Sequence, residues 1–164
     1  SLAGSIGLGN KTASSEWNIL CDPEAASIVL DSGIPITLIP IDTSFEVVIN
    51  KDLIKQVNEI DSPIANFAVE LLESLVSTFH PSIMGPKLMP LNDPLAALIA
   101  ADTNLVSTEK ARVDVELCGH HTYGRTVVDF LLRDGSEANV DVAIAIDSER
   151  LENSFITSIS NISS

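Results

Sequence analysis

Between two plainly written helix starts lies the run that narrows the fold more than any other: ITLIPI, residues 36–41. It is short, apolar and rich in β-branched residues, the composition of a strand buried on both faces of a sheet. Such a strand needs helices to cover it, and the flanking sequence supplies them. Asp22-Pro23 and Ser62-Pro63 each pair a helix-capping side chain with proline at the first helical position. The first helix is expected to run to about Ser32 and stop at Gly33. The second carries Ile64, Phe67, Ala68, Leu71, Leu72, Leu75, Val76 and Phe79 as one apolar stripe. Downstream, RVDVELC (112–118) alternates, RTVVDFLL (125–132) follows a turn at Thr122 to Gly124, and VDVAIAI (140–146) closes the set of strands. In the tail, Phe155, Ile156, Ile159 and Ile162 recur at helical spacing, which predicts a terminal helix docked on the core. The class is α/β: a mostly parallel central sheet flanked by helices, with an antiparallel portion from the hairpin.

Size and charge then exclude whole classes of function. A chain of 164 residues fits one domain, and a domain of that size buries roughly 70% of its unfolded surface. A net charge of −14 argues against nucleic-acid backbone or an anionic membrane as partner. No apolar run approaches the ~18 residues of a membrane span, and the opening SLAGSIGLGN reads as an apolar strand rather than a leader. Cys21 and Cys118 lack metal or disulfide spacing, so a reduced, cytoplasmic protein is expected.

Several stretches carry candidate chemistry. In GNKTASSEWN, residues 9–18, Asn10, Glu16 and Asn18 set three hydrogen-bonding side chains around Trp17. The residues alone admit two readings, an ordinary polar loop with a half-buried tryptophan or a clamp for a polyol. Gly4, Gly7 and Gly9 give the dinucleotide fingerprint in reverse, which reads as a tight strand exit rather than a phosphate loop. Asp93 precedes Pro94 and an apolar helix. It suits a helix N-cap, and it equally suits a hard cation or a sugar hydroxyl. His120 and His121 stand beside a turn, and His80 ends the long amphipathic helix where the helix dipole favours a cation. None of the three histidines has metal-ligand spacing.

Taken together, GNKTASSEWNILCDPEAASIVLDSGIPITLIPIDTS, then PLNDPLAAL, then GRTVVD, resemble the inosine-uridine-preferring nucleoside hydrolases over nearly the whole chain. The resemblance implies an α/β fold, hydrolysis of the N-glycosidic bond of ribonucleosides, a Ca2+ ion at the active site and a homo-oligomer. It aligns Asn10, Glu16 and Asn18 with residues that hold the ribose hydroxyls, the first two near the 5′ end. It sets Trp17 on the wall of the ribose pocket and Asp93 among the calcium ligands. On that footing the polar cluster is a sugar clamp, since each desolvated hydroxyl of a ribose needs a donor or acceptor.

The sequence also departs from the family pattern. Leu2 stands where a methionine of a Met-Gly-Gly turn is usual. Asn92 stands where many members carry a histidine suited to protonating the leaving base, and an amide supplies no proton at neutral pH. His80 is then the alternative acid. The family's aspartate cluster, which provides most calcium ligands and the base that activates water, has no counterpart in these residues. Residues 1–164 are therefore expected to be the C-terminal half of a nucleoside hydrolase domain, with the N-terminal half as partner and with little activity of their own. A non-catalytic ribose- or nucleoside-binding protein and a structural subunit are the rival classes.

Overall fold

The computed structural model describes residues 1–78, 89–133 and 135–162. The chain divides into two compact units, Ser1–Ser44 with Val106–Ile146, and Phe45–Leu105 with Asp147–Ser164.

The first unit holds the sheet. Strands β1 (Thr37–Leu38), β2 (Val106–Val115), β3 (Thr126–Asp129) and β4 (Val140–Ile146) lie in the order β1-β4-β2-β3. β1 pairs parallel with β4, with Thr37 opposite Asp141, whereas β2 runs antiparallel to both β4 and β3. The sheet is thus mixed, and it is covered by helices α1 (Trp17–Cys21) and α2 (Pro23–Leu30), with the short α3 (Ile41–Ser44) following β1. The β-branched run is buried as its composition demands, Leu38, Ile39 and Ile41 all being at most 3% exposed. Its ladder is shorter than the six residues read from sequence because Pro40 has no N–H to give. Beyond Leu38 the pairing passes to residues 1–3: Ile39 donates to the Ser1 carbonyl and Ala3 donates to that of Ile39. The core joins Ala3, Ile19, Leu30 and Leu38 to Ala111, Val113, Val115, Val140 and Val142.

Several boundaries in this unit differ from expectation: the run 112–118 leaves β2 after Val115, and the run 125–132 is a strand only over Thr126–Asp129. Helix α2 begins as predicted, with the Asp22 carboxylate accepting from Ala25 N–H at 2.9 Å, but ends at Leu30 rather than Ser32. Asp31 caps it and Gly33, at φ +75°, turns the chain away two residues later. β2 starts at Val106, six residues before the alternating run, because its charged first half pairs with β4 at the surface.

The second unit is helical: α4 (Lys51–Asn58), α5 (Pro63–Thr78), α6 (Asn92–Ala101), a single 3-10 turn at Thr103–Leu105, and α7 (Ser148–Ile162). Helix α7 packs on α4, α5 and α6, and its Leu151 and Ile159 are buried. It contains the predicted terminal helix and extends it by seven residues toward the N-terminus, to Ser148. α5 starts where Ser62-Pro63 predicts, with Ser62 Oγ accepting from Ala65 N–H. Its apolar stripe, however, is not what the unit buries. Ala65 and Leu72 are buried, while Ile64, Phe67, Leu71 and Leu75 are 42–60% exposed. Phe79 and His80 lie outside the described residues. Among the described residues no helix is long and apolar enough to cross a membrane.

Candidate functional site

In the first unit the structure gathers Asn10, Glu16, Trp17 and Asn18 about the start of α1. Glu16 is the centre. Its carboxylate, 2% exposed, accepts from the N–H groups of Gly4 at 2.9 Å, Asn18 at 2.9 and 3.0 Å, and Ile19 at 3.2 Å. It is therefore the N-cap of α1 and the receptor of a strand-exit amide at once. A buried carboxylate is tolerable here because the orphan amides of a helix start meet its charge. Oε2 carries three of these contacts and Oε1 one, which leaves Oε1 the freer oxygen.

The two asparagines are each half used. Asn10 accepts from Trp17 N–H through Oδ1 at 2.9 Å, and Asn18 donates from Nδ2 to the Leu2 carbonyl at 3.0 Å. Asn10 Nδ2 and Asn18 Oδ1 remain, one donor and one acceptor, on side chains that face solvent. Trp17 is half exposed, with the Lys11 ammonium 4.0 Å from the ring centroid.

The loop that presents these groups is tied down by serines and by the β2–β3 hairpin. Thr12 Oγ1 accepts from the N–H groups of Ser14 and Ser15, and the Ser15 carbonyl accepts from Lys11 and Thr12. Ser14 Oγ donates to the His121 carbonyl and Ser15 Oγ to that of Tyr123, each at 2.6 Å. Tyr123 in turn donates its phenol to Glu24 at 2.6 Å, and that bond, helped by the Glu24 charge, pushes the phenol's pKa up. Gly124, at φ +76°, lets the hairpin lie against α1; a Cβ there would stand 2.9 Å from Leu20 Cδ1. Only the asparagines, Glu16 and Trp17 were legible as site residues. Ser14, Ser15 and the hairpin carbonyls carry no local pattern that marks them, since their roles depend on partners about 100 residues away.

An apolar cleft of about 430 Å³ lies beside the clamp, lined by Leu2, Ile19, Ala26, Val29 and Ile36, and reaches it at Asn18. Its lining offers a polyol few partners.

Asn92 and Asp93 belong to the second unit. The segment Val47–Ile49 bridges residues 89–91, with Ile49 donating to the Met89 carbonyl at 2.7 Å and Leu91 to that of Val47 at 2.9 Å. Leu91, 1% exposed and fixed by that bridge, is the residue from which α6 starts. Asp93 is consequently not the N-cap its sequence context suggests. It stands exposed in the first turn, with Pro94 behind it where a missing N–H costs nothing. Among the described residues no group of three or more His, Cys, Asp or Glu could hold a metal ion. Calcium needs six to eight oxygens, so the residues described here do not by themselves fit such a site.

A mixed α/β sheet carries a cluster of amides and a capped carboxylate at its strand exit. Residues 1–153 match the family described as inosine-uridine preferring nucleoside hydrolase, and the chain belongs to that family. A probable ribonucleoside hydrolase of Dictyostelium discoideum is 31% identical over 98% of this chain and 48% of its own length. A pyrimidine-specific ribonucleoside hydrolase of Salmonella arizonae is 34% identical over 90% of this chain and 48% of its own. Among solved structures, a purine-preferring ribonucleoside hydrolase from Gardnerella vaginalis superposes with a TM-score of 0.83 at 29% identity, covering 99% of this chain and 50% of that one. The chain spans about half the length of the curated relatives it matches.

Proposed function

We propose that this chain is the C-terminal half of a ribonucleoside hydrolase and that its part in the reaction is to hold the ribose. The observation that carries the reading is the division of labour within the cluster. Asn10 and Asn18 each spend one amide atom on the backbone and keep the other, and Glu16 keeps most of one oxygen. Those remaining atoms are one donor and two acceptors, a set suited to vicinal hydroxyls. Trp17 supplies an apolar wall. Because these groups bind the sugar before and during bond cleavage alike, most of their effect falls on substrate binding rather than on the chemical step.

The remaining chemistry belongs, on this reading, to the half that the chain does not span. Ca2+ is assigned there with most of its ligands, Asp93 adding one carboxylate. The base lost from a nucleoside leaves as an anion unless protonated, and Asn92 offers no acidic proton. Either His80 fills that role or the enzyme favours bases that leave unaided. The names of the relatives divide between pyrimidine and purine, so the preferred base is not assigned. The amide at position 92 also favours a second reading, a nucleoside-binding protein without turnover.

The test is ribose release from inosine and uridine by the complete protein, with and without a calcium chelator. Chelator-sensitive release supports the hydrolase. Nucleoside binding by calorimetry without release would establish the second reading, and neither binding nor release would sink both.

A further inference from the structure

The geometry points to Thr126 as a positioning residue for the sugar clamp, acting on Glu16 through the Gly4–Ser5 turn; this rests on the reading of Glu16 as a ribose contact. Thr126 lies at the start of β3, opposite Val115, and is 2% exposed. Its hydroxyl accepts from Ser5 N–H at 2.9 Å and donates to the Ser5 carbonyl at 2.6 Å, across 121 residues of chain. One side-chain oxygen thus satisfies both polar groups of a buried residue. Ser5's own hydroxyl is buried without a partner among the described residues, so it takes no part in the anchoring.

The methyl group of Thr126 acts on the neighbouring residue. Gly4 has φ +73°, and a Cβ there would lie 2.8 Å from Thr126 Cγ2. The threonine occupies the space that glycine leaves open and so closes the turn from one side. On its other side, the Gly4 N–H donates to Glu16 Oε2 at 2.9 Å. The carboxylate is therefore located by an amide, and that amide is located by Thr126. Two further amides at α1, those of Asn18 and Ile19, also hold Glu16, and the Gly4 amide, reaching Oε2 from the strand exit, helps set how the carboxylate is rotated about its long axis. That rotation decides whether Oε1 faces a ribose hydroxyl.

The test uses the complete enzyme with Thr126→Val, which keeps the shape and removes the hydroxyl, and Thr126→Ser, which keeps the hydroxyl. Val should raise KM for inosine and uridine roughly tenfold with kcat changed by less than about threefold, and Ser should restore KM to within about threefold. The Val penalty should shrink to about twofold on a 5′-deoxyribonucleoside, which has no hydroxyl for Glu16 to meet. Amide hydrogen exchange at Gly4, read by NMR without any substrate, should accelerate in Val and not in Ser. A fall in kcat alone, an equal penalty on the deoxy substrate, or unchanged Gly4 exchange would overturn the inference. If Val does not fold, Gly4→Ala crowds the same contact from the opposite side and should raise KM. Adding Thr126→Ser to it removes Cγ2 and should recover part of the loss, and no recovery would overturn the inference. A wild-type enzyme that releases no ribose, yet shows the Gly4 exchange pattern, sinks the hydrolase reading and leaves the coupling of Thr126 to Glu16 standing.

Discussion

Glu16 and Asp93 are both carboxylates at the beginning of a helix, and they are held in opposite ways. Glu16 is 2% exposed and receives four amide contacts, so it belongs to the fold of its unit as much as to any ligand. Asp93 is exposed on a helix that starts from a buried leucine and a backbone bridge, so its unit would keep its shape without it. On the proposed function, the difference separates two kinds of functional group. A side chain that orients a neutral sugar gains from being immobilised in advance. One that shares a cation waits for the other ligands to complete its surroundings.

The strongest way to test that contrast acts on the exposed side. If Asn92 leaves the departing base without an acid, Asn92→His in the complete enzyme should raise the rate on inosine and uridine by ~10²–10⁴-fold. It should do much less for a nitrophenyl riboside, whose leaving group needs no proton. Wild-type rates already equal on natural and activated substrates would mean that another group supplies the proton, with His80 the next to mutate.

The second test concerns stability. Glu16→Ala strips the cap of α1 and orphans the buried Gly4 amide, which should cost about 2–4 kcal/mol in urea unfolding. Asp93→Ala should stay within about 0.5 kcal/mol while abolishing turnover in the complete enzyme. Equal stability losses would break the distinction. Asn18→Ala, by contrast, should leave the fold intact and lower nucleoside affinity roughly 5- to 150-fold, one lost hydrogen bond to a desolvated hydroxyl.

A smaller effect is expected from Ser15→Ala, which frees the clamp loop from the Tyr123 carbonyl. A loss of about 1 kcal/mol is expected, with a change in the emission of Trp17, the only tryptophan of the chain. In the second unit, Arg150→Ala breaks an ion pair to Asp102 whose partners are 53% and 43% exposed, and should leave the urea midpoint almost unchanged.

The smallest effect is one of pH. Burial, and then the charge of Asp52, push the Glu152 pKa up. The fold therefore prefers this carboxyl protonated, and its contribution to stability declines as pH rises from the ordinary glutamate range through the raised value. Glu152→Gln should remove that decline and raise Tm at neutral pH by less than about 2 °C. An identical pH profile for both proteins would show that the carboxyl does not feel its site.

What was legible in the sequence followed from how local each signal is. Asp22 and Ser62 announce their helices because a capping side chain and a proline act within three residues of each other. The alternation of residues 112–118 reports one face buried against a core, and its first four residues lie on β2, while the run 140–146 is β4 in full. Glu16 as a cap was not legible, because glutamate is a poor N-cap by preference and works here only with the Gly4 amide beside it. Asp93-Pro94 misled for the complementary reason: the local signal is good, but the Val47–Leu91 bridge decides where the helix begins. The stripe on α5 was read correctly as apolar, yet apolarity does not say what covers it. The residues assigned to the clamp were singled out through family resemblance. Their spacing alone fitted a polar loop better.

The first unit is sewn from two segments far apart in the sequence, and this dictates an order of events at the ribosome. Ser5, Ser15 and Thr43 emerge early, whereas Thr126, Tyr123 and Ala143 lie 121, 108 and 100 residues further on. At ~5–20 residues per second, the first of these pairs stays apart for roughly 6–24 s of synthesis. Closing so long a loop costs little more than closing a short one, since each doubling adds only about 0.6 kcal/mol. The delay is set by translation and by the search for distant partners, not by a large energetic barrier to closure. Throughout that interval ITLIPI has no β4 to pair with and its apolar side chains no sheet to enter. The nascent chain is then at its most vulnerable to aggregation, and the first unit cannot close until its last strand, ending at Ile146, has been made.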